Sequence, residues 1–292
     1  MRQRPKLGIA LGCGTARGMA HIGVLKVFDK EKIPVDFISG ASMGAIVGAI
    51  YASGVPAVEI EKFAVDFRLG KVASPSFSKS GIFNGKSIER VLRKFLGDKE
   101  FKDLKIPLAV VASDICSGDE VVFRDGSLLK ALRASTSMPG LFTPMPYKKT
   151  YLVDGGLLNP IPSDLLYEMG ADLTVAVSVN RNVKNYTKHK RDKKMEYKGN
   201  LVNNLFKKRK GFFQFIKRKK WSPNIIDVLL QAIYITEEKI AVSRMKMTDK
   251  DLIISPELGD CSMIEFNKIK KIIKRGESSA YEALPKIIKL LQ

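Results

Sequence analysis

Two short glycine-framed segments, each lying directly behind an apolar run, constrain the fold of this chain more than any other feature. Gly-Cys-Gly-Thr-Ala-Arg-Gly at 12–18 follows the apolar residues 7–11, and Gly-Ala-Ser-Met-Gly at 40–44 follows 35–39. Each pattern predicts a strand that ends in a tight turn and opens a helix, because glycine permits the backbone conformations that such turns require. Successive strand–turn–helix units favour an α/β fold with a largely parallel sheet.

The second segment places Ser42 between Gly40 and Gly44, in the pattern G-x-S-x-G. A nucleophilic serine on a strained turn needs small neighbours, because its backbone passes close to the following helix. Ala41 and Ala45 meet that need. The pattern also fits a simple small-residue packing site between a strand and a helix, and the segment alone leaves both interpretations open.

The first segment predicts a cradle for an anion, because amide N–H groups at the start of a helix bind a phosphate or a tetrahedral oxyanion equally well. A dinucleotide-binding loop is the competing interpretation. That loop requires a third glycine where this chain has Arg17, and an acidic residue at the end of the next strand, whereas Asp36 begins it. Both mismatches favour the oxyanion.

A nucleophilic serine needs a base, and the chain has only two histidines. His21 lies on the helix after the first loop, where we expect a packed, hydrogen-bonded side chain, and His189 lies in a lysine-rich stretch. Asp154 is the stronger candidate, since it ends an apolar run and precedes Gly155 and Gly156. Partial burial would raise its pKa above the free value of ~3.9 and make it a better base. An ordinary Asp-Gly turn is the alternative.

In this order the three motifs resemble those of the patatin-like phospholipases, in particular the bacterial members related to the catalytic domain of neuropathy target esterase. The resemblance covers about residues 5–180 and resumes near residue 223. Further segments that share it lie at 20–25, 134–142, 156–162 and 251–256. The resemblance implies a three-layer α/β fold of the patatin type, with a mostly parallel central sheet and helices on both faces.

The resemblance also implies a serine lipid acyl hydrolase of the phospholipase or lysophospholipase type, which works through an acyl-enzyme and needs neither a metal nor another cofactor. Ser42 would be the nucleophile and Asp154 the base. The other implied positions are the oxyanion-hole residues Gly12, Cys13, Gly14, Thr15, Arg17 and Gly18, the elbow glycines Gly40 and Gly44, and the acid-turn glycines Gly155 and Gly156. A catalytically idle lipid-binding or regulatory protein on the same fold is the alternative, and acyl transfer to an acceptor other than water stays open.

The first loop departs from the pattern of that family. Many members have three or four consecutive glycines here, whereas this chain has Cys13 and Thr15. A β-branched residue adopts a positive φ with difficulty. We therefore expect a loop geometry that differs from that of the glycine-rich members.

Positive charge is concentrated in one region of the chain. Residues 181–220 hold 16 of the 50 Lys and Arg residues and only two acids, which places +14 of the net charge of +20 there. Residues 200–222 interleave these cations with Phe and Trp, a composition suited to docking on an anionic membrane that holds a lipid ester substrate. A solvated charged loop is the alternative. Nucleic acid is not an expected partner, because no binding motif frames the patch.

We expect a single domain over 1–292, with a basic, aromatic-containing insertion at 181–222 and C-terminal helices of the same domain at 223–292. The predicted strands lie at 6–11, 35–38, 108–112, 121–123, 151–153, 173–179 and 252–254. A long helix is predicted from Ile225 towards Met245, followed by helices at 266–274 and 278–291 that Gly276 separates. Three cysteines with scattered spacing fit a reducing compartment. We therefore expect a cytoplasmic protein with peripheral contact at the inner membrane surface.

Overall fold

The computed structural model describes residues 4–66, 80–179, 225–244, 251–261 and 265–292, so the predicted insertion lies outside the described residues. The strands are β1 (Leu7–Leu11), β2 (Phe37–Ala41), β3 (Gly81–Phe83), β4 (Leu108–Asp114), β5 (Glu120–Phe123), β6 (Gly140–Phe142), β7 (Met145–Tyr147), β8 (Thr150–Asp154), β9 (Leu173–Val177) and β10 (Asp251–Ile254). The helices are α1 (Ala20–Lys30), α2 (Met43–Ala52), α3 (Ala57–Val65), α4 (Lys86–Leu96), α5 (Leu128–Ser135), α6 (Asp164–Glu168), α7 (Ile225–Arg244) and α8 (Ile269–Leu291). Short 3-10 turns lie at Thr15–Met19, Phe101–Asp103, Gly155–Leu157 and Phe266–Lys268. No helix in this part of the chain is both long enough and apolar enough to cross a bilayer.

Most of the strands form one mixed sheet. In the described residues, eight strands are joined, and the run β10-β9-β1-β2-β4 is parallel throughout. The remaining three strands are antiparallel to their neighbours: β5 and β8 pair with β4, and β7 pairs with β8. Strands β3 and β6 form a separate parallel pair. The predicted mostly parallel central sheet is confirmed.

Helices cover both faces of this sheet. Leu7 and Ile9 of β1 belong to an apolar cluster with side chains of α1, α2 and α8. Ala10, on the opposite face of the same strand, packs with Leu166 of α6 and Ala241 of α7. Strand β1 is buried along its whole length, which explains its unbroken apolar run. The prediction of helices on both faces is confirmed.

Two strands meet end to end along one edge of β4. Val110 and Val111 pair with β2 and with β5, whereas Ala112 pairs with β5 and with β8. Strand β8 therefore occupies the same edge of β4 as β2. Because β2 is parallel and β8 antiparallel to β4, their C-terminal ends point at each other, with Ala41 opposite Val111 and Asp154 opposite Ala112. This arrangement brings the residue after β2 close to the last residue of β8.

The last helix is longer than the sequence pattern predicts. Helix α8 continues without interruption through Gly276 and Pro285, so the prediction of two helices separated at Gly276 is wrong. Gly276 marks a close helix crossing instead, since a Cβ there would lie 2.0 Å from the Ala20 carbonyl oxygen of α1. Gly23 of α1 has the matching role, because its Cβ would lie 2.0 Å from the Ile273 carbonyl oxygen. The two glycines let the backbones of α1 and α8 touch.

Candidate active site

Ser42 occupies the turn between β2 and α2 in a strained backbone conformation. Its φ of 53° and ψ of −121° lie in a region that residues with a Cβ rarely adopt, at a cost of order 1–3 kcal/mol. The surrounding backbone leaves no space for larger neighbours. A Cβ on Gly44 would lie 2.0 Å from the Leu11 carbonyl oxygen, and one on Gly40 would lie 2.7 Å from the Ala45 amide nitrogen. The elbow glycines are therefore required by close backbone packing.

Asp154 faces this serine from the end of β8. The Ser42 hydroxyl donates a hydrogen bond to Asp154 Oδ2 at 2.6 Å, and both side chains are buried. The other carboxylate oxygen, Oδ1, accepts a hydrogen bond from the Gly156 amide at 2.9 Å. The chain turns closely beneath the acid, since a Cβ on Gly155 would lie 2.2 Å from the Val111 carbonyl oxygen. The structure thus brings the predicted nucleophile and the predicted base into direct contact.

The basicity of this carboxylate is set by its surroundings. Burial raises the pKa of Asp154 to about 6, against the opposing effect of the hydrogen bonds from Ser42 and Gly156. The side chain is therefore ionised at neutral pH, yet it holds a proton more readily than an exposed aspartate with a pKa of ~3.9. A group whose pKa lies near the working pH is an effective general base.

The end of α5 and the residues after it support both members of this pair. The Ser42 amide donates to Ser135 Oγ at 2.9 Å, and the Asp154 amide donates to the Ser137 carbonyl oxygen at 3.1 Å. The buried Arg133 guanidinium in turn donates to Ser137 Oγ. The sequence pattern indicated no role for Arg133, Ser135 or Ser137. In the sequence, the one sign of a role was position: Ser135 and Ser137 lie within the segment 134–142 that resembles the family, and Arg133 directly precedes it.

The first glycine loop uses four of its amides for structure. The Gly12 N–H donates to a carbonyl oxygen of β9 at 3.1 Å, and the Cys13 N–H donates to the Pro160 carbonyl oxygen at 2.9 Å. The Arg17 and Gly18 N–H groups both donate to the Gly14 carbonyl oxygen, at 2.9 and 3.4 Å. These four amides are thereby removed from the donors predicted for the oxyanion hole. The N–H groups of Gly14 and Thr15 have no backbone acceptor within the described residues. Among the residues predicted for the oxyanion hole, these are the two whose amides are left available for an anion.

Thr15 adopts the conformation that a β-branched residue tolerates poorly, with a φ of 47°. Its hydroxyl oxygen is buried and has no hydrogen-bond partner in the described part of the chain. Gly18, at the far end of the loop, lies against the residue that follows the nucleophile, since a Cβ there would lie 2.5 Å from Met43 Cγ. The two glycine-framed turns are therefore packed against each other.

Two larger polar side chains behind the loop are buried. The Arg17 guanidinium donates from Nε and Nη2 to the Cys261 carbonyl oxygen at 2.8 and 2.7 Å, which anchors the segment after β10. The predicted contribution of Arg17 to the field at the oxyanion stays a prediction. Burial lowers the pKa of His21 to about 4, so the neutral ring donates from Nε2 to the Gly12 carbonyl oxygen at 2.7 Å. His21 is a packed side chain, as expected, and His189 lies outside the described residues.

Helix α7 contributes a carboxyl group that no sequence motif indicated. Its buried stripe comprises Leu230, Ile233, Glu237 and Ala241, so an acid occupies a position where helical periodicity predicts an apolar residue. The Glu237 side chain lies beside Gly156, next to the turn that carries the candidate base. The interruption of the apolar stripe was the signal that could have identified it.

The arrangement suits proton transfer and nucleophilic attack. Within the described ranges, no three His, Cys, Asp or Glu side chains are placed to hold a metal ion. Cys13, Cys116 and Cys261 form no disulfide with one another. The expectation of a reaction without metal or cofactor stays a prediction.

Comparison with known protein families places the site within a matched region. A family model described as patatin-like phospholipase matches residues 9–167, which include the first loop, Ser42 and Asp154. An uncharacterised NTE family protein from Mycobacterium tuberculosis is 36% identical over 182 residues, which are 60% of this chain and 49% of that protein. Human patatin-like phospholipase domain-containing protein 6 is 33% identical over 181 residues, which are 59% of this chain and 13% of that protein. The matched residues thus make up about half of the mycobacterial relative and a small part of the human one.

Solved structures share the fold at low sequence identity. The crystal structure of VipD from Legionella pneumophila superposes with a TM-score of 0.60 at 14% identity, over 98% of this chain and 67% of that chain. At this identity the likeness concerns the fold alone. It agrees with the three-layer arrangement around the mostly parallel sheet.

Proposed function

We propose that this chain, which belongs to the patatin-like phospholipase family, hydrolyses carboxylic esters of lipids with Ser42 as the nucleophile and Asp154 as the base. One observation carries the proposal: the 2.6 Å hydrogen bond from Ser42 Oγ to Asp154 Oδ2 at the junction of β2 and β8. Because the carboxylate contacts the hydroxyl directly, no imidazole is needed to relay the proton. The two side chains form a Ser–Asp dyad.

In the first half of the reaction the serine becomes acylated. Ser42 Oγ attacks the ester carbonyl carbon while its proton passes to Asp154 Oδ2. The carbonyl oxygen becomes an oxyanion, for which we assign the amides of Gly14 and Thr15 as donors. One donor of this kind is typically worth ~10²–10³ in rate. The bond from the carbonyl carbon to the alcohol oxygen then breaks, and the alcohol leaves with the proton from Asp154.

In the second half water releases the fatty acid. A water molecule gives a proton to Asp154 while its oxygen attacks the acyl carbon. The bond to Ser42 Oγ breaks, and the serine takes the proton back. A carboxylate whose pKa is about 6 can accept and return this proton near neutral pH, so the same side chain acts as base and then as acid in each half.

A lipid acyl ester as substrate is inferred from the family together with the surface of α7. This helix carries Glu237 beside the dyad on its buried face and exposes Ile225, Val228, Ile235 and Val242 on its outer side. Exposed apolar side chains next to a hydrolytic site support transient contact with a lipid surface. We propose that they act together with the basic segment 200–222 at the cytoplasmic face of the inner membrane.

A fluorophosphonate probe tests the activity, since it reacts covalently with an activated serine. The probe should label the wild-type protein and the surface variant Ser117→Ala, whose serine is exposed, but not Ser42→Ala. Labelling of Ser42→Ala at the wild-type rate would disprove the assignment of the nucleophile. No labelling of the wild type, with or without lipid vesicles, would favour the catalytically idle lipid-binding protein. Release of free fatty acid from a lysophospholipid then separates hydrolysis from acyl transfer to another acceptor.

Co-sedimentation with vesicles across a salt series tests the membrane contact. Vesicles that contain anionic lipid should bind the protein more strongly than neutral ones, and this preference should weaken as salt screens the charges. Equal binding to both kinds of vesicle, or binding to neither, would contradict the docking proposal. It would leave the esterase proposal untouched, because the probe experiment needs no membrane.

A further inference from the structure

The carboxyl group of Glu237 is a buried acid that the reaction described above does not use. Its side chain is only 1% exposed, and its Oε1 atom has no hydrogen-bond partner among the described residues. Burying an ionisable group without full pairing costs free energy. A helix that needed only to pack against the protein would carry an apolar residue at this position, as it does at Leu230, Ile233 and Ala241.

The Glu237 carboxyl group lies where the acid turn meets the first glycine loop. A Cβ on Gly156 would lie 2.8 Å from Glu237 Oε1 and 2.9 Å from Cys13 Sγ, so both side chains lie against the backbone two residues after Asp154. The Cys13 thiol hydrogen-bonds the Glu237 carboxyl group. Two titratable groups on neighbouring elements affect the pKa of Glu237 in the part of the chain that the structure describes. The charge of Asp154 raises this pKa, and the hydrogen bond from Cys13 lowers it.

We infer that Glu237 is a positioning residue of this site, which permits ester hydrolysis as a neutral carboxylic acid and blocks it as a carboxylate. The inference rests on the proposed function. During acylation negative charge moves from Asp154 to the oxyanion at the amides of Gly14 and Thr15, which directly follow Cys13 in the chain. The Glu237 carboxyl group hydrogen-bonds the Cys13 thiol. A second fixed negative charge at this point would repel the oxyanion among buried side chains, where charges interact strongly.

The hydrogen bonds decide which of the two buried acids is ionised. Asp154 accepts from the Ser42 hydroxyl and from the Gly156 amide, and both contacts stabilise its carboxylate. Within the described ranges, Glu237 Oε1 has no such donor. Burial and the charge of Asp154 raise the pKa of Glu237 to about 8, whereas that of Asp154 is about 6. Between these values the pair holds one negative charge, on Asp154.

The consequence is a bell-shaped dependence of kcat/KM on pH. Activity rises as Asp154 loses its proton near pH 6 and falls as Glu237 loses its proton near pH 8. On each side the rate changes by about tenfold per pH unit once the pH is beyond the pKa. The alkaline limb is the signature of Glu237, since a side chain that served only packing would not affect it.

The test compares kcat/KM from pH 5 to 10 for wild type, Glu237→Gln and the neighbouring control Glu238→Gln, with a soluble short-chain aryl ester. Wild type and Glu238→Gln should lose about tenfold per pH unit above ~8. Glu237→Gln should keep the acid limb and lose the alkaline limb, because an amide does not ionise. Cys13→Ala should move the alkaline limb to higher pH, since the thiol hydrogen bond lowers the pKa of Glu237. An alkaline limb that is unchanged in Glu237→Gln, or absent from the wild type, would overturn the inference.

A second measurement covers the case in which Glu237→Gln does not fold. Carbon-13 NMR of the wild-type protein, labelled at its glutamate carboxyl groups, should show one glutamate that titrates near pH 8. A spectrum in which every glutamate is ionised at pH 7 would overturn the inference. If the wild type fails to react with the fluorophosphonate probe at pH 7, the proposed function fails. If it reacts and the alkaline limb is independent of Glu237, only this inference fails.

Discussion

The two glycine-framed turns have the same local structure but differ in the hydrogen bonds that hold their strained residues. Each follows a buried strand, opens a helix and places one residue with a Cβ at a positive φ: 47° at Thr15 and 53° at Ser42. The Ser42 hydroxyl donates to Asp154 and its amide donates to Ser135. The Thr15 hydroxyl oxygen is buried without a partner in the described residues.

This difference shows what each turn is shaped to present. At the elbow the strained residue is held by its side chain and its backbone, so the hydroxyl has a fixed position opposite the carboxylate. In the loop, the part of the chain that the structure describes offers no partner to the Thr15 hydroxyl and no backbone acceptor to the amides of Gly14 and Thr15. The elbow therefore depends on the identity of its side chain, and the loop depends on its backbone.

Removing the partner of the elbow serine should have the largest effect on activity. Asp154→Asn keeps the size of the side chain but cannot accept the serine proton, so we expect kcat to fall by roughly 10³–10⁴. The fold should persist. Because burial raises the pKa of Asp154 above its unfolded value, ionisation of this group destabilises the folded state as pH rises through about 6. Thermal unfolding should thus find the variant at least as stable as wild type at pH 8, and activity that survives at wild-type level would refute the dyad.

Filling the space beneath the elbow should have the next largest effect, on stability. Gly44→Ala would place a Cβ 2.0 Å from the Leu11 carbonyl oxygen, so backbone must move, and we expect a loss of about 3 kcal/mol or more in the free energy of unfolding. Gly259→Ala is the matched control, because a Cβ there would have no neighbour within 4 Å among the described residues. Urea unfolding of both variants measures the difference. Equal stability of the two would show that the elbow is less tightly packed than described.

The acid limb of the pH profile measures the pKa of Asp154, which burial raises. With its pKa at about 6, kcat/KM should fall by about tenfold per pH unit below that value, as protonation removes the base. Fluorophosphonate labelling rates at pH 5, 6 and 7 provide an independent measurement of the same titration. A rate that stays constant down to pH 5 would mean that the carboxylate titrates as an exposed aspartate does.

Replacing the Thr15 side chain of the first loop should have the smallest effect, and it should increase stability rather than decrease it. Thr15→Val removes an unpartnered buried hydroxyl, so we expect a gain of about 1 kcal/mol in stability and activity within about threefold of wild type, because the backbone amides are unchanged. Thr136→Val is the matched control, since the Thr136 hydroxyl donates to the Leu132 carbonyl oxygen at 2.7 Å. That variant should lose about 1 kcal/mol. Thermal unfolding in which both variants lose stability equally would contradict the comparison.

The sequence was most informative where a local pattern determines a local structure. The apolar runs predicted β1, β2, β4, β5, β8, β9 and β10, with ends that differ by a few residues. The three-residue strands β3, β6 and β7 were missed, because they are too short to show a periodicity. The prediction that the closing helix is divided at Gly276 was wrong, because the sequence alone does not distinguish a glycine at a helix crossing from one that ends a helix.

The candidate site was only partly predictable for a different reason. Ser42 and Asp154 stand in recognisable motifs, but their meeting depends on β8 occupying the edge of β4 that β2 leaves free. That pairing joins parts of the chain that are distant in sequence, so neither motif predicts it. Glu237 interrupts the apolar stripe of α7, which marks its position as unusual, but the sequence does not show which group the acid faces.

The glycine contact between α1 and α8 has a practical consequence for any attempt to isolate the reactive part of this molecule. The region that matches the family model ends at residue 167, before β9, which pairs with β1 in the middle of the sheet. It also ends about a hundred residues before α8. Gly23 packs against the backbone of α8, so without α8 the helix that follows the first loop would be exposed to solvent. A truncation guided by motif boundaries would thus remove the central sheet partner and the opposing half of a helix pair. Fragments, fusions and crystallisation variants should keep every residue through Leu291.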